Sequence, residues 1–72
     1  MSWESYEVWA QDDDGREFLL ETTRSKKEAI QIAQKNIDES VAILVYREFG
    51  DDYDLVSRLT KDDTGSIIVN NV

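Results

Sequence analysis

The segment that most constrains the fold is residues 25–39, the one stretch of the chain with a helical period. Ser25 is followed three residues later by Glu28, which is the spacing of a capping box at a helix start. Apolar residues then recur along one helical face at Ala29, Ile30, Ala33 and Ile37. We therefore predict one amphipathic helix, at about 26–39, on which a sheet packs.

The segments on either side of the helix alternate between apolar and polar residues, as strands do. Four such strands are predicted, at residues 5–11, 16–23, 41–48 and 53–60. Turns that are rich in Asp and Gly follow at 12–15, 50–52 and 61–65. The helix lies between the second and third strands, so the predicted order is ββαββ. Residues 66–70 are expected to form either a short fifth edge strand or a tail on the sheet.

These elements predict an α+β fold, a two-layer sandwich with one helix on one face of a mainly antiparallel sheet. Residues 1–72 are expected to form one domain, in which 1–4 and 70–72 fray. Two strand orders are open at this point. The order 2-1-3-4 makes every pair antiparallel, whereas 1-2-3-4 contains one parallel pair.

The helix start also carries a resemblance to known proteins. Its letters are Ser-Lys-Lys-Glu-Ala-Ile, with Ala33 following and a hairpin on each side. This arrangement resembles several small bacterial ββαββ families of uncharacterised function, over about residues 5–60. The resemblance implies the fold, and it assigns no functional residue.

Charge is the main indication of what the chain contacts. Sixteen Asp and Glu stand against eight Lys and Arg, a formal net charge of −8, and there is no His. This charge favours solubility, repels nucleic acid and anionic membranes, and attracts basic partners. We therefore expect no autonomous binding of nucleic acid and no membrane contact. The acidic first twenty residues, the lack of Cys and the short longest apolar run (41–46) predict a cytoplasmic protein.

The residue types argue against catalysis. Without His and Cys, the commonest bases, nucleophiles and soft metal ligands are missing. The three glycines are isolated turn residues, and the acidic runs at 12–14 and 51–54 lack the spacing of a calcium loop. We expect no enzyme, no cofactor and no specific metal site. The enzymatic alternative is a minimal carboxylate-dependent hydrolase, which would require a deep cleft.

One candidate contact surface is acidic. If the helix crosses the sheet once, the first and last Asp-rich turns and the end of the helix lie together. We name this surface the acidic end, and its predicted residues are Asp12, Asp13, Asp14, Asp38, Glu39, Asp62 and Asp63. The leading hypothesis is a small non-enzymatic protein-binding module, an accessory or inhibitor protein of bacterial or phage type. Its acidic end would contact a basic partner.

The second candidate surface is the sheet face opposite the helix, which we name the open face. The helix side is expected to hold Tyr6, Val8, Phe18 and Leu20. The open face is expected to show Trp9, Leu19, Val56 and either Leu44 with Tyr46 or Ile43 with Val45. Residues 67–69, a second copy or another protein could cover it. The alternative hypothesis is a homodimeric structural module joined through the open face, with Trp9 and Tyr46 as anchors.

The capping box leads to a stability prediction. Replacing Ser25 by Ala removes the side-chain acceptor at the helix start, which should lower the free energy of unfolding by about 0.5–2 kcal/mol. Urea unfolding followed by circular dichroism measures this change. An unchanged midpoint with intact helicity would contradict the predicted helix start.

Overall fold

The computed structural model describes residues 4–39 and 41–72. The elements in these ranges are β1 Glu4–Gln11, β2 Glu17–Thr23, α1 Lys26–Asn36, β3 Ala42–Phe49, β4 Asp52–Lys61 and β5 Ile67–Asn71. The predicted α+β class is confirmed, and the fifth segment forms a strand rather than a loose tail. The lead-in at residues 1–3, which was expected to fray, lies outside the described residues.

The strands of the described ranges form one antiparallel sheet in the order β2-β1-β3-β4-β5. This is the all-antiparallel alternative of the two predicted orders. The run that is apolar on both faces occupies the central strand, β3, whose first four residues are buried. Glu4, Asn70 and Asn71, which lie in the ends expected to fray, pair with Phe49, Arg58 and Ser57 respectively.

The start of α1 is capped as the sequence indicates, but through one additional residue. The Oγ atom of Ser25 accepts the N–H of Glu28 at 3.4 Å. The Glu28 carboxylate in turn accepts the Thr23 hydroxyl at 2.5 Å, and Thr23 Oγ1 accepts the N–H of Ser25 at 3.5 Å. Thr23 therefore relays the second half of the capping box and ties the helix to the end of β2.

The helix is shorter than predicted. Regular α-helix ends at Asn36, whose side-chain amide donates to the Ile32 carbonyl at 2.8 Å. A 3₁₀ turn, Ile37–Glu39, completes the segment, since tighter bonds satisfy carbonyl groups that a helix end leaves open. With eleven residues, α1 is far from membrane-spanning length, and no helix among the described residues is long and apolar enough to cross a membrane.

The core lies between α1 and the side of the sheet that faces it. Its buried side chains are Tyr6, Val8, Ala10, Ala29, Ala33, Ile37, Ile43, Val45 and Leu59. Ala29 and Ala33 are fully buried at the centre of the helix face, so the helix backbone approaches the sheet closely. The bulk that fills this layer comes from the strands and from the 3₁₀ turn.

An extra residue in β2 changes which side chains share a face. Val8 pairs with Glu21 and Trp9 with Leu19, so Leu20 has no opposite residue on β1. Such a bulge reverses the alternation on its far side. The expected burial of Leu20 under the helix is therefore wrong, and its side chain is 39% exposed.

Phe18 differs from expectation in its burial but not in the face of the sheet on which it lies. Phe18 lies opposite Ala10 and thus on the helix side of the sheet. It is nevertheless 53% exposed, because β2 is an edge strand on which every residue but Thr23 is exposed. The first hairpin contributes to the core mainly through β1.

A second extra residue lies in β4. Val45 pairs with Ser57 and Tyr46 with Leu55, which leaves Val56 without an opposite residue on β3. Val56 is half-buried and packs against the core. The expectation that Val56 lies on the open face is therefore wrong.

The two leucines give a stability prediction that separates core from edge. Leu59 is fully buried, so Leu59→Ala should lower the free energy of unfolding by about 2–5 kcal/mol. Leu20→Ala, at an exposed extra position, should cost on the order of 1 kcal/mol or less. Urea unfolding of both variants measures the difference, and equal losses would contradict the observed burial.

Candidate functional site

Three aromatic side chains meet on the open face, and we name Trp9, Tyr46 and Tyr53 the aromatic cluster. The rings of Tyr46 and Tyr53 are stacked, with centroids 5.1 Å apart and planes 7° from parallel. Together with Trp9 and Glu17 they line an open depression of about 240 Å³. Each ring therefore keeps apolar surface in contact with solvent.

Two carboxylates hold the rings of the aromatic cluster. Oε1 of Glu7 accepts the Tyr53 hydroxyl at 2.6 Å and the indole N–H of Trp9 at 3.0 Å. Oε1 of Glu17 accepts the Tyr46 hydroxyl at 3.1 Å. The polar atom of every ring thus donates to a carboxylate, which orients the rings and places acidic groups at their polar edges.

Tyr53 reaches the open face because of the extra residue Val56 in β4. On the far side of this bulge, Tyr53 lies opposite Glu48. Without the bulge, Tyr53 would pair with Phe49, which lies on the helix side opposite Glu4. One inserted residue therefore assembles the stacked pair of tyrosines.

The environment of the cluster keeps its phenols protonated. Partial burial, followed by the hydrogen bond to Glu7 and its charge, raises the pKa of Tyr53 to about 12. Partial burial and the hydrogen bond to Glu17 likewise raise the pKa of Tyr46. Both rings are neutral hydrogen-bond donors at neutral pH.

Sequence reasoning found part of this surface. Trp9 and Leu19 lie opposite each other on the open face, and Leu19 is 50% exposed. Of the two alternatives for β3, the structure has Leu44 with Tyr46 on this face, since Leu44 lies opposite Trp9. Trp9 and Tyr46 therefore lie on the same face of the sheet.

Three members of the site were missed. Regular alternation would place Tyr53 on the same face as Leu59, but the bulge at Val56 puts the two residues on opposite faces. Glu7 and Glu17 were not predicted as site residues, although both lie on the same face as Trp9 by register. Period-2 alternation already places Glu7 on the face of Trp9, and the register of the first hairpin could have located Glu17.

The acidic end consists of separate groups of charge. The strand order places turn 12–16 and turn 62–66 at the same end of the sheet, but between different strands. Three strand spacings of 4.7–4.9 Å separate them, which is about 14 Å. This exceeds the Debye length of about 8 Å at physiological ionic strength, so the two turns act largely independently.

Asp12 has a structural role within its turn. Its Oδ1 atom accepts the N–H groups of Asp14 at 3.0 Å and Arg16 at 2.9 Å. Gly15 completes the turn at a φ of 85°, a region that favours glycine. The Asp12 carboxylate therefore stabilises the turn of the first hairpin through these hydrogen bonds.

The last turn repeats this construction. Oδ1 of Asp62 accepts the N–H groups of Thr64 and Ser66, each at 2.9 Å, and the Thr64 hydroxyl at 2.7 Å. The Thr64 hydroxyl, followed by the Ser66 N–H, lowers the pKa of Asp62. Gly65 takes a φ of 84°. The structure thus uses the same Asp-based turn twice.

The remaining predicted residues of the acidic end do not form one group. Asp38 pairs with the ammonium group of Lys61. The side chain of Glu39 lies outside the described part of the structure. Asp13 and Asp63 are exposed at the tips of their turns. The structure therefore places two acidic turns at this end rather than one continuous acidic patch.

The only group of carboxylates suited to a cation, among the described residues, is in the first turn. Asp12, Asp13 and Asp14 each offer one oxygen, and these oxygens lie within 4.8 Å of one another. The Asp12 carboxylate already binds the turn backbone. The absence of a specific metal site stays a prediction.

Comparisons with known proteins identify no family or relative from which a function could be inferred. No protein-family model, curated protein or solved structure matches the chain.

The raised pKa of Tyr53 gives a testable pH dependence. Its neutral form is favoured in the folded state, so this stabilisation is full below the ordinary pKa of 10.0 and is lost as pH rises toward about 12. Glu7→Gln removes the adjacent negative charge and should lower the pKa of Tyr53. Alkaline titration of the tyrosine ring protons by NMR measures it, with Glu17→Gln as the control that acts first on Tyr46. An unchanged Tyr53 midpoint in Glu7→Gln would contradict the observed contact.

Proposed function

We propose that this protein is a small non-enzymatic binding module that contacts a basic protein partner through its open face. The observation that supports this proposal is the aromatic cluster, which lines one open depression together with Glu17 and is hydrogen-bonded to Glu7 beside it. Cationic side chains are attracted to the faces of aromatic rings and pair with carboxylates. Both recognition elements for Lys and Arg are therefore present at one place.

Placement of the contact on the open face changes the role of the acidic end. Asp12 and Asp62 are engaged by backbone N–H groups of their turns. The two turns are also too far apart to act as one anionic group. In this proposal they add to the field of a chain with a net charge of −8, which accelerates the approach of a basic partner. The proposed biological role of this contact is accessory or inhibitory toward that partner.

The structural alternative, a homodimer joined through the open face, is less favourable. Two copies packed by this face would enclose the Glu7 and Glu17 carboxylates of both copies in one contact. Like charges in a contact that excludes water cost free energy. A partner with Lys or Arg side chains turns the same carboxylates into favourable contacts.

The hydrolase alternative has little support in the cavities of the described residues. The depression at the aromatic cluster, about 240 Å³, is below the 300–1,000 Å³ of common ligand pockets, and its one lining carboxylate, Glu17, accepts a ring hydrogen bond. A larger groove of about 540 Å³ beside α1 has no carboxylate in its lining. Neither cavity offers the deep pair of carboxylates that such chemistry requires.

The experiment is a titration with a short Arg-rich peptide, followed by tryptophan fluorescence in a Trp3→Phe background, which leaves Trp9 as the sole tryptophan. Glu7→Gln with Glu17→Gln should weaken binding by roughly twofold to thirtyfold, since exposed ion pairs contribute about 0.2–1 kcal/mol each. The fluorescence of Trp9 should respond to peptide binding, because its ring lines the depression.

A matched control carries the same change of net charge at another place. Asp13→Asn with Asp63→Asn also removes two negative charges, but from the tips of the acidic turns. This variant should bind the peptide nearly as well as the parent at physiological salt. Equal weakening in both double variants would mean that peptide binding depends only on the net charge. That result would contradict a site on the open face. If the control variant bound the peptide more weakly than the Glu7→Gln with Glu17→Gln variant, the contact would lie at the acidic end instead.

A further inference from the structure

The free edge of β5 differs from the rest of the surface in its lack of charge. Residues 64–72 contain no Asp, Glu, Lys or Arg, the longest such run in a chain of which 33% is charged. The other edge strand, β2, carries Glu17 and Glu21. Exposed edges usually carry charges or proline, which prevent pairing with another strand. β5 has neither protection.

The backbone of β5 presents a regular set of hydrogen-bonding groups to this edge. Val72 donates to the carbonyl of Val56 at 3.0 Å, and Asp62 donates to that of Ser66 at 3.0 Å. Because hydrogen-bonding positions alternate along an antiparallel pair, every second residue of β5 turns its backbone away from β4. These outward residues are Ile67, Val69 and Asn71.

The side chains at this edge are apolar on both faces of the sheet. Ile67 and Val69 lie on the helix side, opposite Lys61 and Leu59, and Ile68 lies on the other side. Their exposed fractions are 40%, 39% and 40%. The helix side also holds the groove of about 540 Å³ between α1 and β5. The edge therefore leaves β-branched side chains half in solvent on a strand that could continue the sheet.

We propose that β5 pairs with β5 of a second copy, antiparallel and centred on Val69, to form a dimer with a continuous ten-stranded sheet. In this register Val69 lies opposite its equivalent, and Ile67 lies opposite Asn71 of the other copy. The outward backbone groups then meet in three pairs, each of which exchanges two hydrogen bonds. The helix-side residues of one copy continue the helix side of the other, as a two-fold axis requires.

The charge distribution favours this antiparallel arrangement. β5 begins beside the acidic turn 62–66 and ends at Asn71, which lines the groove together with Lys26 and Lys27. Antiparallel pairing brings the acidic turn of the second copy to the end of the sheet that holds these lysines. A parallel pairing would instead place the two acidic turns side by side. Pairing at the edge also leaves the aromatic cluster of both copies exposed.

The test is a charge exchange at the centre of the interface. Size-exclusion chromatography with light scattering should show the mass of a dimer for the parent chain. Val69→Lys and Val69→Glu should each be monomeric, because like charges then lie directly opposite each other. An equimolar mixture of the two variants should recover the dimer mass, since Lys then faces Glu.

Amide hydrogen exchange gives a measurement that needs no substitution. The Val69 N–H points to the free edge, so its exchange should slow as the concentration of the parent chain rises. The Ile68 N–H is turned toward β4 in monomer and dimer alike and serves as the internal control. If the exchange rate of the Val69 N–H did not depend on the concentration of the parent chain, the proposal would be overturned. This holds even if both charged variants failed to fold.

Three other results would overturn the proposal: a monomeric parent chain at every soluble concentration, a dimer that persists in both charged variants, or a mixture that stays monomeric. A dimer that persists in those variants but is changed by Glu7→Gln with Glu17→Gln would locate the contact on the open face.

Discussion

The packing of a single short helix on a five-stranded sheet is the constraint on which the other features of the described chain depend. Ala29 and Ala33 bring α1 close to the sheet and exclude water from Val8 and Val45 on that side. One helix covers only one face, so the opposite face has to be compatible with solvent. Rings with polar atoms, held by Glu7 and Glu17, meet that requirement while leaving apolar area exposed.

The two extra residues in the strands determine what each face carries. A residue inserted in one strand of a pair restores the ladder on its far side with the opposite alternation. At Val56 this change transfers Tyr53 to the open face, where it stacks on Tyr46. At Leu20 it removes an apolar side chain from the core layer. The aromatic cluster and the exposure of Leu20 therefore both follow from an inserted strand residue.

The acidic residues of the chain have several separate physical roles. Asp12 and Asp62 stabilise the hairpin turns through backbone hydrogen bonds. Glu7 and Glu17 orient aromatic rings. The exposed remainder contributes to the formal net charge of −8. A residue's contacts, rather than its charge alone, distinguish the carboxylates that hold turns from those that orient rings.

The sequence by itself determined the α+β class, the helix start at Ser25, the Asp-Gly turns and the positions of the strands within one or two residues. These features depend on contacts between residues close in the chain, which period and capping chemistry report directly. The strand order, the bulges at Leu20 and Val56, and hence the meeting of Tyr53 with Tyr46, were decided only in the tertiary structure. A bulge forms where packing across the sheet outweighs regular alternation, and that balance involves residues far apart in the sequence. Local pattern could therefore show that the chain has an open face, but the assembly of the aromatic cluster on that face required the fold.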